Sequence, residues 1–237
     1  DTFDIGTLLG DYPKPVPMGQ NLLFQIGEGA LVGVEICEDL WTPLPPSAML
    51  ALSGAEVIVN LSASNETIGK RVYRRELVTH QSASLNCVYA YCSAGSTEST
   101  QDLIFSGQSL IAENGKLLAE TNEAIAADYL LVQDCDLGKV RADRRRNRSY
   151  ADTAARHGTQ ARIVPARDGL LRADGTRYPL EKLPFVPSQR QNRVQRCMEI
   201  FQMQVAGLKQ RLSAIGNPNA VIGISGGLDS TLALLVA

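Results

Sequence analysis

The sequence is poor in several residues and patterns that mark common classes of protein. It has 2 histidines in 237 residues, which disfavours a histidine-rich metal site and a catalytic Cys–His pair. Its formal net charge of −2 gives no electrostatic reason to expect nucleic acid or an anionic membrane as a partner. Its apolar runs are too short to span a bilayer, so we expect no membrane insertion.

The cysteines narrow the possible chemistry further. There are 5 of them, and none forms a Cys-x-x-Cys pair, which disfavours a zinc site or a redox dithiol. An odd number of scattered cysteines is more typical of a reducing compartment than of a disulfide framework, so we expect a cytoplasmic protein. Because the chain starts at Asp1 and stops at Ala237 inside a predicted helix, we expect it to be a piece of a longer polypeptide.

What is present is typical of a globular protein of one or two domains, with 44% hydrophobic and 20% charged residues. Apolar patterning predicts buried strands that alternate with helices. The strands are predicted at 22–26, 31–36, 56–61, 87–93 and 129–134, and the helices at 47–53 and 69–86. Asn114-Gly115 predicts a hairpin turn between strands at 104–112 and 116–120, because both residues tolerate positive φ. Together these elements predict an α/β sandwich.

The composition changes after Asp136, where a basic run begins that includes Arg141 and Arg144. We expect an exposed linker at 149–187; the alternative is that the arginines clamp a neighbouring domain or subunit. A helix is predicted from Ser188, where Gln191 completes a capping box, and a strand is predicted at 221–224. The predicted organisation is therefore a first domain at 1–148, the linker, and the start of a second domain at 188–237.

One cysteine has the setting of a nucleophile. Cys37 follows the apolar strand that ends at Ile36 and precedes a loop containing Trp41, so its thiol is expected at the edge of the sheet. A thiol becomes nucleophilic when a base or a nearby cation removes its proton. His80 lies within a predicted helix, where a structural role is expected. The alternative for Cys37 is a buried thiol that packs as a small hydrophobic side chain.

The residues around Cys37 resemble a known family. The segment Glu35-Ile36-Cys37-Glu38-Asp39-Leu40-Trp41, followed by Pro45-Pro46-Ser47, resembles the nitrilase superfamily. More narrowly, it is similar to the glutaminase domain of glutamine-dependent NAD synthetases. The resemblance extends through residues 60–66, Gly69-Lys70 and residues 95–102. It implies a nitrilase-like αββα sandwich.

The resemblance also implies roles for individual residues. Members of this family hydrolyse glutamine through a thioester with a Glu-Lys-Cys triad, in which Cys37 matches the nucleophile. The backbone N–H of Glu38 matches part of the oxyanion hole. The glutamine-binding positions of the family fall on Glu38, Ser64 and Lys70. From the residues alone, Ser64 is also compatible with a turn or N-cap position, and Lys70 with a solvated lysine at the start of a helix.

The remaining members of the triad are not found by this comparison. The family pattern places the catalytic glutamate and lysine before Cys37, and the segment expected to hold them is missing from this chain. The one lysine in that part of the sequence is Lys14. Its position between Pro13 and Pro15 predicts a surface loop, so we assign it no catalytic role.

A second motif lies near the end of the chain. Ser225-Gly226-Gly227-Leu228-Asp229-Ser230 follows a predicted strand and precedes a predicted helix. Glycines let a backbone approach an anion closely, and the N–H groups at a helix start can bind it. The alternative is a tight strand–helix turn. The segment resembles the pyrophosphate loop of ATP pyrophosphatases, whose cradle positions fall on Ser225, Gly226, Gly227, Asp229 and Ser230. The resemblance implies a Rossmann-like fold.

The two resemblances together predict a glutamine-hydrolysing NAD synthetase. Ammonia released at Cys37 would amidate deamido-NAD that has been adenylated with ATP, giving NAD, AMP and pyrophosphate. Mg²⁺ would accompany ATP, with its ligands after Ala237, and we expect neither a metal ligand in this chain nor a prosthetic group. The family implies a homo-oligomer. The alternatives are a stand-alone nitrilase or amidase and a catalytically silent scaffold.

Overall fold

The structure, a computed structural model, describes residues 2–3, 16–27, 29–98, 103–122, 129–166 and 190–237. The chain divides into two compact units, Asp1–Tyr178 and Pro179–Ala237. None of the helices in the described ranges combines the length and the apolar content needed to cross a bilayer. All five cysteines lie in these ranges, and each is a free thiol.

The first unit is built on a seven-stranded mixed sheet. Its strands are β3 (Leu22–Ile26), β4 (Ala30–Ile36), β5 (Val57–Ser62), β6 (Val88–Ser93), β7 (Ser109–Glu113), β8 (Lys116–Glu120) and β9 (Arg162–Pro165). A separate ladder pairs β1 (Thr2–Phe3) with β2 (Val16–Pro17). The strand order in the sheet is β8-β7-β6-β5-β4-β3-β9, in which β4, β5 and β6 run parallel. Strand β5 therefore lies at the centre of the sheet.

Two helices connect the parallel strands and cover one face of the sheet. Helix α1 (Pro46–Leu52) joins β4 to β5, and helix α2 (Lys70–Ser84) joins β5 to β6. Parallel strands joined through right-handed crossovers carry both helices on the same face. Side chains from this face and from the helices form one buried core, which includes Leu23, Leu50, Ile58, Val78, Tyr89 and Leu110.

The two faces of the sheet differ in burial. Glu35 and Asn60 point toward the helices and are buried, whereas their neighbours Ile36 and Leu61 point to the other face and are exposed. The described part of the first unit thus contains one main sheet with helices on one face. This arrangement confirms the predicted α/β class. The second sheet and second helix layer of the αββα sandwich stay a prediction.

Most of the predicted elements of the first unit are confirmed. The Asn114-Gly115 turn joins β7 to β8, with φ values of +45° and +83°. The strand predicted at 104–112 begins only at Ser109. The strand predicted at 129–134 is wrong: this segment pairs with no strand in the part of the chain that the structure describes. The side chains of Tyr129, Leu130 and Val132 are exposed, with Leu130 at 84%.

The segment expected to be a linker is ordered in its described part. Helix α3 (Leu137–Arg146) is followed at once by helix α4 (Arg148–His157), and β9 then pairs in parallel with β3 at the edge of the sheet. Asn147 caps α4 by accepting a hydrogen bond from the Tyr150 N–H, at 3.0 Å. The hydroxyl of Tyr150 donates to the carbonyl of Ala51 at 2.8 Å, which ties α4 to α1. A single capping residue and one aromatic side chain thus order a segment with weak apolar periodicity.

The second unit contains helices α5 (Arg190–Ala214) and α6 (Leu228–Val236). The capping box predicted at Ser188 lies outside the described residues. Gly216 follows the end of α5 with φ of +83°, as expected for a helix terminator. The strand predicted at 221–224 is wrong, because this segment pairs with no strand among the described residues. Val221 is 97% exposed.

Candidate active site

Cys37 lies at the point where strand β4 ends and a short 3₁₀ turn, Cys37–Trp41, begins. Its φ of +50° is unusual for a residue other than glycine, and such strain persists only where the surroundings hold it. The side chain of Asp39 accepts a hydrogen bond from the Ile36 N–H at 2.9 Å. The hydroxyl of Thr42 donates to the Asp39 carbonyl at 2.8 Å. The first bond closes the chain around Cys37, and the second closes the end of the turn.

A cleft of about 480 Å³, here called the lysine cleft, opens beside this turn. It is lined by Cys37, Glu38, Trp41, Ala63, Ser64, Asn65 and Lys70. Because β4 and β5 are parallel and adjacent, the segments that follow them meet at the same edge of the sheet. The start of α2 then adds the lysine. The structure therefore brings Cys37, Glu38, Ser64 and Lys70 together in one cleft.

Lys70 is held firmly on one side of the lysine cleft. Its ammonium group donates to the backbone carbonyl of Asn65 at 2.7 Å and to the side-chain oxygen of Asn65 at 3.0 Å. It also lies 5.6 Å from the centre of the Trp41 ring, which stacks on Tyr73. Partial burial, helped by the nearby Arg74 guanidinium, lowers the pKa of Lys70 from its usual value. An ammonium group has three protons, and Asn65 accepts two of them.

A second cleft, of about 540 Å³, reaches Cys37 from the ends of β5 and β6. It is lined by Ile36, Cys37, Leu61, Ser62, Ala63, Cys92, Ser93, Ala94, Gly95, Glu98, Gly107, Ser109 and Tyr129. Because Cys37 lines both clefts, it is accessible from two directions. Ala63 is the second residue that the two clefts share.

The sequence analysis missed three buried residues that lie beneath Cys37. They are Glu35 on β4, Asn60 on β5 and Tyr89 on β6, each at most 1% exposed. All three interrupt apolar strands at positions that face the helices. A polar residue at a core position of a strand was the available signal, since buried polar groups need hydrogen-bond partners. Lys14 lies outside the described residues.

The second unit carries the glycine-rich loop that precedes α6. The hydroxyls of Ser225 and Ser230 are 3.3 Å apart, and the Gly227 N–H donates to the Ser225 hydroxyl at 3.4 Å. Gly226 has φ of +84°, a conformation that other residues adopt at a cost. A Cβ atom added to Gly226 would meet nothing within 4 Å, so the loop is open. An open backbone and two hydroxyls at a helix start fit a phosphate group. Asp229 lies in the first turn of α6.

Comparisons with known proteins find similar sequences over most of the chain. The model of the carbon–nitrogen hydrolase family matches residues 7–145, which include Cys37 and Lys70. The chain is 44% identical over 231 residues to the glutamine-dependent NAD(+) synthetase of Mycobacterium leprae, covering 93% of this chain and 33% of that protein. It is 31% identical over 234 residues to the enzyme of the same name from Thermotoga maritima, covering 95% and 36%.

A solved structure is similar as well. It is the glutamine-dependent NAD+ synthetase of Acinetobacter baumannii in complex with ADP, at 22% identity and a TM-score of 0.42, covering 93% of this chain and 33% of that one. The chain spans about a third of the length of the curated relatives it matches. The match over residues 7–145 takes in more than half of the chain. The chain therefore belongs to the carbon–nitrogen hydrolase family.

Proposed function

We propose that the first unit hydrolyses the side-chain amide of glutamine. The observation that carries this proposal is the lysine cleft, in which a thiol, a carboxylate, a hydroxyl and an ammonium group line one small volume. A base takes the proton of the Cys37 thiol, and the thiolate attacks the amide carbon. The same proton is returned to the nitrogen, which leaves as ammonia, and water then hydrolyses the thioester to glutamate and the free thiol. The backbone N–H of Glu38 donates to the developing oxyanion.

The same cleft accounts for recognition of the amino-acid part of glutamine. The Glu38 carboxylate binds the α-ammonium group, while Ser64 and Lys70 bind the α-carboxylate through charge-assisted hydrogen bonds. The third N–H of the Lys70 ammonium group donates a hydrogen bond to the α-carboxylate. The residues that complete the triad, a glutamate and a lysine in the family pattern, are not assigned to positions of this chain.

We infer that the second unit binds the phosphates of ATP through Ser225, Gly226, Gly227, Asp229 and Ser230. Support comes from the open loop at the start of α6 and from the ADP complex of the similar Acinetobacter baumannii structure. Mg²⁺ would neutralise the phosphates. Residues 1–148 then belong to a glutaminase domain and residues 188–237 begin an ATP-pyrophosphatase domain. Helix α4 and strand β9 extend the first unit beyond residue 148.

The activity we propose for the whole protein is glutamine-dependent synthesis of NAD. Ammonia from Cys37 amidates deamido-NAD adenylated by ATP, and NAD, AMP and pyrophosphate are released. The names of the similar proteins and the presence of both sites on one chain support this proposal. We further propose that the protein is a homo-oligomer in the cytoplasm, where its five free thiols stay reduced.

Substitution of Cys37→Ala in the full-length protein tests the proposal. We expect NAD synthesis to be lost with glutamine as the nitrogen source and retained with ammonium, because the substitution removes the nucleophile alone. The measurement is NAD formed from deamido-NAD and ATP with each nitrogen source. Cys197→Ala, which changes an exposed thiol on α5, is the matched control and keeps both activities.

Two outcomes would contradict the proposal. Equal glutamine-supported synthesis by wild type and Cys37→Ala would remove Cys37 from the reaction. Amide hydrolysis by the wild type without any ATP-dependent synthesis from either nitrogen source would favour a stand-alone amidase.

A further inference from the structure

A chain of buried polar groups runs beneath the backbone of Cys37 and has no part in the contacts to glutamine proposed above. It starts at the Cys37 carbonyl, which accepts a hydrogen bond from the side-chain amide of Asn60 at 3.4 Å. Cys37 is also the residue that holds a strained φ of +50°. A fully buried side chain therefore binds the strained residue from the interior of the unit.

The amide of Asn60 has a defined orientation. Its oxygen accepts a hydrogen bond from the Ser62 hydroxyl at 2.7 Å, so its nitrogen is the atom that faces Cys37. That nitrogen also donates to the hydroxyl oxygen of Tyr89 at 3.3 Å. With two donors and one oxygen engaged, the amide uses nearly all of its hydrogen-bonding capacity inside the core.

Tyr89 and Glu35 complete the chain. The Tyr89 hydroxyl donates its proton to the Glu35 carboxylate, which also accepts the backbone N–H of Ser47 at 2.8 Å. Burial, with the adjacent Glu35 carboxylate, raises the pKa of Tyr89, so the hydroxyl keeps its proton. Because that proton points to Glu35, the oxygen of Tyr89 is left to accept from Asn60.

The peptide group between Cys37 and Glu38 links this chain to the reaction. A trans peptide is planar, and its C=O and N–H point in opposite directions. A carbonyl of Cys37 that is held toward buried Asn60 therefore directs the Glu38 N–H away from the interior. This N–H is the proposed oxyanion donor, and such donors act through a fixed direction.

We propose that Asn60 is a positioning residue that sets the direction of the Glu38 N–H, and that Glu35 and Tyr89 hold the Asn60 amide in place. The inference rests on the proposed glutaminase activity. It adds that the oxyanion donor is oriented by a side chain from the neighbouring strand β5, and not by the 3₁₀ turn alone.

The test compares two reactions of Cys37 in the full-length protein. Glutamine hydrolysis develops an oxyanion, whereas alkylation of the thiol by iodoacetamide does not. In Asn60→Asp, which keeps the shape and removes the donor, we expect kcat for glutamine hydrolysis to fall about 100-fold while KM changes less than about threefold. The rate of Cys37 alkylation, followed by mass spectrometry of its peptide, stays within about twofold of wild type.

Tyr89→Phe is the second variant, because it changes a single hydroxyl and leaves the ring in the core. Asn60 then loses one of its contacts, and we expect kcat to fall about tenfold with the same unchanged alkylation rate. Tyr91→Phe is the matched control: Tyr91 lies on the same strand and is also buried, but its hydroxyl makes no hydrogen bond to Asn60, Tyr89 or Glu35. It keeps the wild-type kcat.

The outcomes separate this inference from the proposed function. A wild-type protein that releases no ammonia from glutamine would refute the proposed function itself. With an active wild type, an unchanged kcat in both Asn60→Asp and Tyr89→Phe would overturn the positioning role. A parallel loss of kcat, alkylation rate and melting temperature in both variants would show a structural role instead.

Discussion

At the residue scale, the most unusual group in the lysine cleft is the ammonium of Lys70. It is partly withdrawn from water, it lies over an indole ring, and the Arg74 guanidinium is close enough to lower its pKa. Its two contacts to Asn65 fix its position without neutralising its charge. A fixed cation of this kind is suited to binding a carboxylate.

We expect Lys70→Met to weaken glutamine binding in the full-length protein. Loss of a charge-assisted hydrogen bond should raise KM for glutamine by about 10- to 100-fold and change kcat much less. Steady-state kinetics of ammonia release measures both constants. Lys209→Met, on the exposed side of α5, is the control and leaves KM unchanged. A loss confined to kcat would place Lys70 in the chemical step instead.

The lowered pKa of Lys70 predicts a pH dependence with a definite sign. In the proposed site the Lys70 cation binds the substrate, and a lysine with a lowered pKa loses its proton at a lower pH than an ordinary lysine does. KM for glutamine should therefore rise as the pH becomes alkaline, starting below the usual lysine pKa of 10.5. Lys70→Arg should reduce this rise, because guanidinium stays charged, and leave only the part that comes from the α-ammonium group of glutamine itself. An equal alkaline rise in both proteins would contradict the prediction.

The site was predictable to the extent that its residues lie in continuous segments. Cys37 and Glu38 follow a strand, and Ser64 and Lys70 follow the next strand of a parallel pair, so their meeting follows from the topology. Asn60 was not predictable in this way, since its partners come from the turn after β4, from β5 itself and from β6. Its role depends on which atoms meet, and strand patterning indicates only that it faces inward.

At the scale of elements, helix α3 is attached to the first unit by arginines. The guanidinium of Arg144 donates to the backbone carbonyls of Ala55, Leu85 and Asn86 at 2.6, 3.1 and 2.9 Å. Arg141 pairs with Glu56. Arg141 and Arg144 of the basic run thus bind their own unit. From the sequence alone, the run could have been part of an exposed linker or could have clamped a neighbouring domain or subunit.

We expect Arg144→Ala to lower the free energy of unfolding by about 2–3 kcal/mol, because three carbonyls lose a charged donor. Urea denaturation followed by circular dichroism measures the change. Arg145→Ala is the matched control: its side chain is exposed, and we expect a change within about 0.5 kcal/mol. Equal effects of the two substitutions would show that α3 is held by its helical context and not by Arg144.

The elements that were predicted well are those whose apolar side chains reach the core. Strands β4, β5 and β6 each have a more buried and a less buried face, and their bounds lie within one residue of the predicted ones. The elements that were predicted wrongly are those whose side chains do not reach the core or whose order depends on polar contacts. Residues 129–134 have the composition of a strand, but Tyr129, Leu130 and Val132 are exposed. Helix α4 is stabilised by its Asn147 cap and by the Tyr150 hydrogen bond to α1, and apolar periodicity detects neither of these contacts.

At the scale of the whole molecule, the two sites lie in separate compact units of one chain. Ammonia is the only link between the two proposed reactions. We therefore expect that a substitution can abolish either reaction without affecting the other. The Cys37→Ala test removes one reaction. A change in the loop of the second unit should remove the other.

We expect the double substitution Ser225→Ala, Ser230→Ala to raise KM for ATP by about tenfold or more, because two hydroxyl donors to phosphate are lost. Synthesis should be impaired with glutamine and with ammonium alike, whereas hydrolysis of glutamine without ATP should stay at the wild-type rate. Ser213→Ala, exposed near the end of α5, is the control. An unchanged KM for ATP would place the phosphates elsewhere.

The position of β5 at the centre of the sheet has a consequence for how the site responds to heat. Three strands flank it on each side, so its amide protons should be among the slowest to exchange with deuterated water. Asn60 lies on this strand, and the loop carrying Ser64 leaves directly from its end. The lysine cleft therefore lies at the end of the strand that we expect to unfold last. Inactivation on heating should coincide with melting of the sheet and not precede it.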